Sequence, residues 1–168
     1  PLYVRNAAKS LKCSSLLLVN VTANHKALKP YHWLYVYDED KYSTRINHIE
    51  MLSPSNAPNG KTGIQVEVYE SQYKPLDKSH DEIAKVVICE LQEMGLIDSV
   101  ESVESVHTQY IPYANVIFDK KRRNAQNIIF SWLEQFGLMR EHDDLEPITD
   151  WSTEDDLHRG KLALAGRY

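Results

Sequence analysis

The feature that most constrains the fold is a change in the spacing of apolar residues along the chain. In residues 64–69 apolar and polar side chains alternate, as in a strand with one buried face. After Pro75 the apolar residues instead recur with a helical period, at Ile83, Val87, Leu91 and Met94. A chain with both periods predicts helices packed against a sheet.

Two main helices are predicted, and both have recognisable ends. Ser79 followed by Glu82 forms a capping box at the start of the first helix, and Gly95 is a natural stop. The second helix has one apolar stripe, closed by Gly137. This stripe consists of Ala125, Ile128, Ile129, Trp132, Leu133 and Phe136. A shorter helix is predicted over residues 4–10.

Several further segments have strand character. They are residues 16–21, which are predicted to be buried on both faces, 33–37, 45–51, 106–118 with an interruption at Pro112, and 161–168. Residues 53–60 and the acidic stretch 140–159 are predicted loops. This order predicts an α+β fold with a largely antiparallel sheet and two main helices packed on one face.

Charge and composition exclude several classes of function. The formal net charge of -5 disfavours a nucleic-acid-binding protein, and the basic run at 120–123 is interpreted as a solvated helix end. The longest apolar run, 16–19, is far too short for a transmembrane segment. Cys13 and Cys89 are interpreted as buried free thiols, which indicates a cytoplasmic protein.

The residues by themselves carry no catalytic signature and no metal site. None of the seven histidines is paired at one-turn helical spacing, so they are interpreted as surface or edge-strand residues. Gly60-Lys61-Thr62 resembles the end of a phosphate-binding loop, but Ser55 replaces the required glycine and a strand follows. No catalytic residue and no metal ligand is therefore predicted.

A set of segments, taken in order, resembles a known family. The segments are 6–8, 16–19, 33–38 (Trp-Leu-Tyr-Val-Tyr-Asp), 45–46, 53–54 with Pro58, 65–69 (Gln-Val-Glu-Val-Tyr), 110–119 and 162–168 (Leu-Ala-Leu-Ala-Gly-Arg-Tyr). Together they resemble the substrate domain of the amine-oxidoreductase flavoprotein superfamily. The branch is the protoporphyrinogen-oxidase-like and UDP-galactopyranose-mutase-like one, which includes proteins of surface-polysaccharide synthesis.

The resemblance implies a substrate-binding domain over residues 1–160 and, at 161–168, the start of a strand that returns to a missing FAD-binding domain. It implies FAD in the full-length parent and none bound to this chain, which would be inactive alone. The implied substrate is a small molecule, for example a nucleotide sugar. The substrate-binding candidates are Tyr35, Tyr37, Arg45, Tyr110, Tyr113 and Asn115, and the cofactor-binding candidates are Gly166 and Arg167.

Physical chemistry gives these candidates roles, and alternatives stay open. Arg45 can bind a phosphate or carboxylate in bidentate fashion, and tyrosines can stack on a sugar or nucleobase. Equally, these side chains can simply pair across strands. A second hypothesis is a stand-alone, non-enzymatic binding or interaction module. An excised domain is also expected to self-associate through surface that normally meets its partner domain.

Overall fold

The protein is described by a computed structural model, in which residues 1–136 are placed. The chain divides into two compact units. One unit spans Ser14–Asn115, and the other combines Pro1–Cys13 with the chain from Val116 onward. The predictions for Gly137, for the loop 140–159 and for the strand 161–168 lie outside the described residues.

The larger unit is built on an antiparallel sheet. Its strands are β1 (Ser15–Ala23), β2 (Trp33–Tyr35), β3 (Arg45–His48), β4 (Thr62–Glu70) and β5 (Val103–Ile111). The five strands lie in the order β2-β3-β4-β1-β5, and every neighbouring pair is antiparallel. The described residues form three α-helices, of which α2 (His80–Glu93) belongs to this unit and α1 (Leu2–Ser10) and α3 (Arg122–Glu134) to the other. The α+β prediction is confirmed.

Helix α2 covers one face of the sheet and forms the core with it. Its capping box is present, since the Ser79 side chain accepts from the Glu82 N–H and the Glu82 carboxylate accepts from the Ser79 N–H. The helix ends at Glu93, and Gly95, which follows its C-cap Met94, has a φ of +67° that favours glycine. Its apolar stripe packs on alternate residues of β1 and β4. The fully buried side chains include Ile83, Val87, Leu91, Leu17, Val19 and Val66.

Burial of each of these six apolar side chains stabilises the fold by about 1.5–3 kcal/mol, because apolar surface is removed from water.

Four strand predictions differ from the structure. The strand predicted over 33–37 ends at Tyr35. The strand predicted to be buried on both faces, β1, is fully buried only on the side that faces α2, at Leu17, Val19, Val21 and Ala23, because this unit has no second helix for the other face. The strand predicted over 45–51 ends at His48, where a 3-10 turn, Ile49–Met51, begins. The strand predicted over 106–118 instead ends at Ile111, because Pro112 cannot donate to the ladder.

The smaller unit contains α1 and α3, which pack against each other. The Asp119 carboxylate lies just before α3, and its Oδ1 accepts from the N–H groups of Lys121 (3.0 Å) and Arg122 (2.9 Å). Of the predicted stripe only Ala125 is fully buried, and Phe136 is 61% exposed beyond the end of the helix. Of the two main helices, α2 is therefore the one that packs on the sheet within its own unit.

Two predictions about individual residues need correction. Cys13 and Cys89 form no disulfide, as predicted, but neither is buried: Cys13 is half-exposed and Cys89 exposed, because Cys89 lies on the outer side of α2. His48 is fully buried instead of lying at the surface, because its position on β3 points towards the core. No helix among residues 1–136 is both long and apolar enough to cross a membrane.

Candidate functional site

The face of the sheet opposite α2 is lined largely by polar and aromatic side chains, and we call it the polar face. The strand register aligns them in two neighbouring rows. One row is Trp33, Asn47, Gln65, Asn20 and His107, and the other is Tyr35, Arg45, Glu67, Leu18 and Gln109. Burying these polar groups against an apolar surface would cost free energy, because their hydrogen bonds would be lost. The polar face therefore suits a polar ligand.

Arg45 lies on β3, between Tyr35 and Glu67 on the polar face. Its guanidinium lies 4.8 Å from the centroid of the Trp33 ring and forms a salt bridge with the Glu67 carboxylate. The hydrogen bond to Glu67 raises the pKa of Arg45 above its usual value, so the charge is permanent. The Arg45 Nε is buried and has no hydrogen-bond partner among the described residues. This nitrogen is a donor that remains to be satisfied.

A chain of hydrogen bonds extends from Glu67 to the end of β5. The Tyr69 hydroxyl donates to Glu67 Oε2 at 2.8 Å, and the Asn115 Nδ2 donates to that hydroxyl at 3.1 Å. Burial, followed by the Glu67 carboxylate, raises the pKa of Tyr69, so its hydroxyl keeps its proton. The chain therefore fixes both carboxylate oxygens of Glu67, one towards Arg45 and one towards Tyr69.

Amide side chains occupy the neighbouring row. The Gln65 Nε2 donates to Asn20 Oδ1 at 2.9 Å. Asn47 is only 7% exposed, yet its Oδ1 has no partner among the described residues. A buried polar atom left unpaired costs about 1–3 kcal/mol. A ligand that offers a hydroxyl or N–H at this point would recover that energy.

The loop before Arg45 is held by a buried carboxylate. Glu90 of α2 is 4% exposed and accepts from the N–H groups of Tyr42 (2.8 Å) and Ser43 (2.9 Å) and from Ser43 Oγ (2.5 Å). Thr44 in turn bonds through its N–H to the Glu67 carbonyl at 2.9 Å. The helix on one face therefore fixes the start of the strand that presents Arg45 on the other.

The structure brings together some of the predicted substrate-binding residues. Tyr35 and Arg45 are direct cross-strand partners, and Asn115 is joined to Arg45 through Tyr69 and Glu67. Tyr37 and Tyr113 are 87% and 81% exposed, in the segments that follow β2 and β5. Each thus extends into solvent.

Tyr110 lies on the opposite side of the sheet. It stacks on His80 at the start of α2, with ring centroids 5.0 Å apart, and its hydroxyl donates to Glu70 Oε2 at 2.8 Å. It is therefore not part of the polar face. The two cofactor candidates, Gly166 and Arg167, lie outside the described residues.

Several residues of the polar face were not predicted from the sequence. They are Trp33, Asn47, Gln65, Glu67 and Tyr69. The alternation in residues 64–69 did contain a usable signal, since Gln65, Glu67 and Tyr69 are its polar half. The alternation does not reveal that Arg45 lies opposite Glu67 and Asn47 opposite Gln65 on the neighbouring strand. Among residues 1–136, no group of three or more histidine, cysteine or acidic side chains is arranged to hold a metal ion.

The described fold is similar to parts of two solved structures. The described fold is similar to part of a reduced UDP-galactopyranose mutase, with a TM-score of 0.71 and 21% identity over 77% of this chain and 28% of that chain. It is also similar to a protein assigned as a protoporphyrinogen oxidase from Exiguobacterium sp. 255-15, with a TM-score of 0.61 and 13% identity. That match covers 76% of this chain and 29% of the other.

These similarities show a shared fold, and the chain spans less than a third of the length of either enzyme. Neither a protein-family model nor a curated protein matches the sequence.

Proposed function

We propose that the chain is the substrate-side domain of a larger FAD-dependent oxidoreductase or mutase of the amine-oxidoreductase superfamily. The observation that carries the proposal is the TM-score of 0.71 with one part of UDP-galactopyranose mutase. In this proposal the polar face covers the substrate, while the rest of the enzyme holds the flavin. Cytoplasmic location and a role in polysaccharide synthesis are parts of the same proposal.

The N-termini of α2 and α3 do not fit the phosphates of a flavin dinucleotide. A flavin dinucleotide needs backbone N–H groups at a helix N-terminus for its phosphates. At α2 those groups are used by the capping box, and Asp81 and Glu82 in the first turn would repel an anion. At α3 the Asp119 carboxylate occupies the same position. In this proposal the flavin, which supplies the redox chemistry when bound, is held by the rest of the enzyme.

The polar face supports a substrate with both an anionic and a hydroxylated part. Arg45 offers a permanent positive charge and an unpaired donor, and the neighbouring Asn47 offers an unpaired acceptor. Trp33 and Tyr35, 39% and 60% exposed, offer ring surface for stacking. A nucleotide sugar combines these features, since it has a diphosphate, sugar hydroxyls and a planar base. We propose a compound of this class as the substrate.

Titration of the isotope-labelled chain with a UDP-hexose, followed by NMR, tests the proposal. We expect shifts at Trp33, Tyr35 and Arg45 on the polar face, and no response to FAD. Arg45→Lys should raise the dissociation constant roughly tenfold, because an ammonium cannot replace a planar guanidinium that bonds Glu67 with one nitrogen and offers Nε to the ligand. The exposed Arg123 provides the matched control, and Arg123→Lys should bind as wild type.

Shifts confined to residues that face α2, or the absence of binding at saturating ligand, would contradict the proposed function. A stand-alone binding module would instead be favoured by two results together. The polar face would bind an unrelated ligand, and the full-length protein would contain no flavin-binding part.

A further inference from the structure

Strand β5 leaves one edge of the sheet open in the described part of the chain. It follows β1 at the end of the strand order, and its other side has no neighbour there. It is nine residues long and contains neither proline nor lysine, the residues that commonly protect such edges. Val106 and Tyr110 on its α2 side are 40% and 41% exposed. An edge of this kind is a template for another strand.

Helix α2 and this edge form a groove. A cavity of about 370 Å³ is lined by Ala84 and Ile88 of the helix, by Val106 and Thr108 of the strand, and by the charged Asp81 and Lys85. The helix packs on both β1 and β5. It runs antiparallel to β5, because its first residue, His80, stacks on Tyr110 near the end of the strand.

We propose that a second copy of the chain occupies this groove, with β5 pairing antiparallel to β5 about a twofold axis at Thr108. In that register Thr108 faces Thr108, and Val106 faces Tyr110 of the partner subunit. Threonine pairs and pairs of aromatic with β-branched residues are favourable across strands. On the polar face His107 meets Gln109 of the partner subunit. No like charges lie opposite each other along the shared edge.

The helices fit the same arrangement. Neighbouring strands lie about 4.8 Å apart, and α2 packs against both β1 and β5, so we place it above the space between them in the proposed dimer. The twofold axis then separates the two copies of α2 by about 10 Å, a normal packing distance for helices. Asp81 and Lys85 are one helical turn apart on the rim of the groove. Each can therefore reach the opposite charge on the partner helix.

This self-complementarity favours a second copy over an unrelated strand. Both the strand edge and the helix rim match their own twofold image, as an isologous interface requires. The inference is independent of the proposed function, since it uses the edge and groove and not the ligand-binding side chains of the polar face.

Sedimentation equilibrium of the 168-residue chain over a wide range of concentrations tests the proposal. We expect a reversible dimer. Val106→Glu should raise its dissociation constant at least roughly tenfold, because a charge would face the Tyr110 ring in the contact. Lys85→Asp should also weaken the dimer. The double variant Asp81→Lys with Lys85→Asp should restore it, because the exchanged charges again face opposite signs.

Lys26→Asp is the matched control, since Lys26 is exposed and lies in the loop after β1, away from the groove. It should dimerise as wild type, and thermal unfolding of each variant confirms that the fold is retained. A monomer at every concentration would overturn the proposal. So would a dimer that is insensitive to both Val106→Glu and Lys85→Asp, since its interface would lie elsewhere.

Discussion

The buried carboxylate of Glu90 provides the sharpest test of how the helix-covered face supports the polar face. Its Oε1 accepts one N–H, from Tyr42, and its Oε2 accepts the N–H and the hydroxyl of Ser43. Glu90→Gln keeps the shape of the side chain. With its amide oxygen at the Oε2 position it can still accept from Ser43, but its NH₂ group then faces the Tyr42 N–H. One donor is left unpaired, and the remaining bonds lose their charge.

The size of the effect follows from these contacts. Losing one hydrogen bond to a charged group costs about 1.5–3 kcal/mol, and two bonds weaken from charged to neutral. The amide also avoids the desolvation penalty of a buried carboxylate, which offsets part of this cost. We therefore expect Glu90→Gln to lower the free energy of unfolding by about 2–3 kcal/mol, a large share of the 5–15 kcal/mol typical of a domain.

Urea denaturation followed by circular dichroism measures this change. Glu93→Gln is the control on the same helix, because among the described residues the exposed Glu93 carboxylate accepts only from the Lys41 Nζ, at 2.9 Å, and from no backbone N–H. Its denaturation midpoint should match that of wild type. A loss below about 0.5 kcal/mol for Glu90→Gln would refute the role of Glu90, since a single unpaired buried donor already exceeds that value. Additive effects of Glu90→Gln and Ser43→Ala would also refute the direct contact.

Three further predictions concern the sheet and the helix α2 that packs on it. Burial lowers the pKa of His48 below its ordinary value of 6.5, so the unfolded chain binds the proton more tightly. The free energy of unfolding should therefore fall as the pH drops below about 6.5, and His48→Gln should flatten that dependence in denaturation curves measured across pH. Gly63→Ala should destabilise the protein, because the new Cβ would lie 2.5 Å from the Ile49 Cδ1, and Ile49→Ala should relieve the loss in the double variant. Leu91→Ala should cost about 2–5 kcal/mol in urea denaturation, because Leu91 is fully buried in the core.

Local signals in the sequence predicted the parts of the fold that depend on neighbouring residues. The capping box at Ser79, the stripe from Ile83 to Leu91 and the stop at Gly95 all lie within one helix, so spacing alone reveals them. The break at Pro112 follows from the missing N–H of proline in the same way, although the strand was predicted to continue to Phe118 and instead ends at Ile111.

The polar face could be predicted only in part, because it depends on register between distant strands. Arg45 was a candidate from its charge, but its pairing with Glu67 joins residues 22 positions apart. The burial of Asn47 and His48 likewise follows from the pairing of β3 with β4. Tyr110 was grouped with Arg45 by residue type, whereas the alternation of β5 directs it to the other side of the sheet.

The most direct test of the account is the NMR titration of the labelled chain with a UDP-hexose, compared between wild type and Arg45→Lys. The account predicts shifts centred on Trp33, Tyr35, Arg45 and Asn47, with roughly tenfold weaker binding in the variant. Shifts that cluster around α2, or equal affinities for the two proteins, would contradict the claim that the polar face binds the substrate.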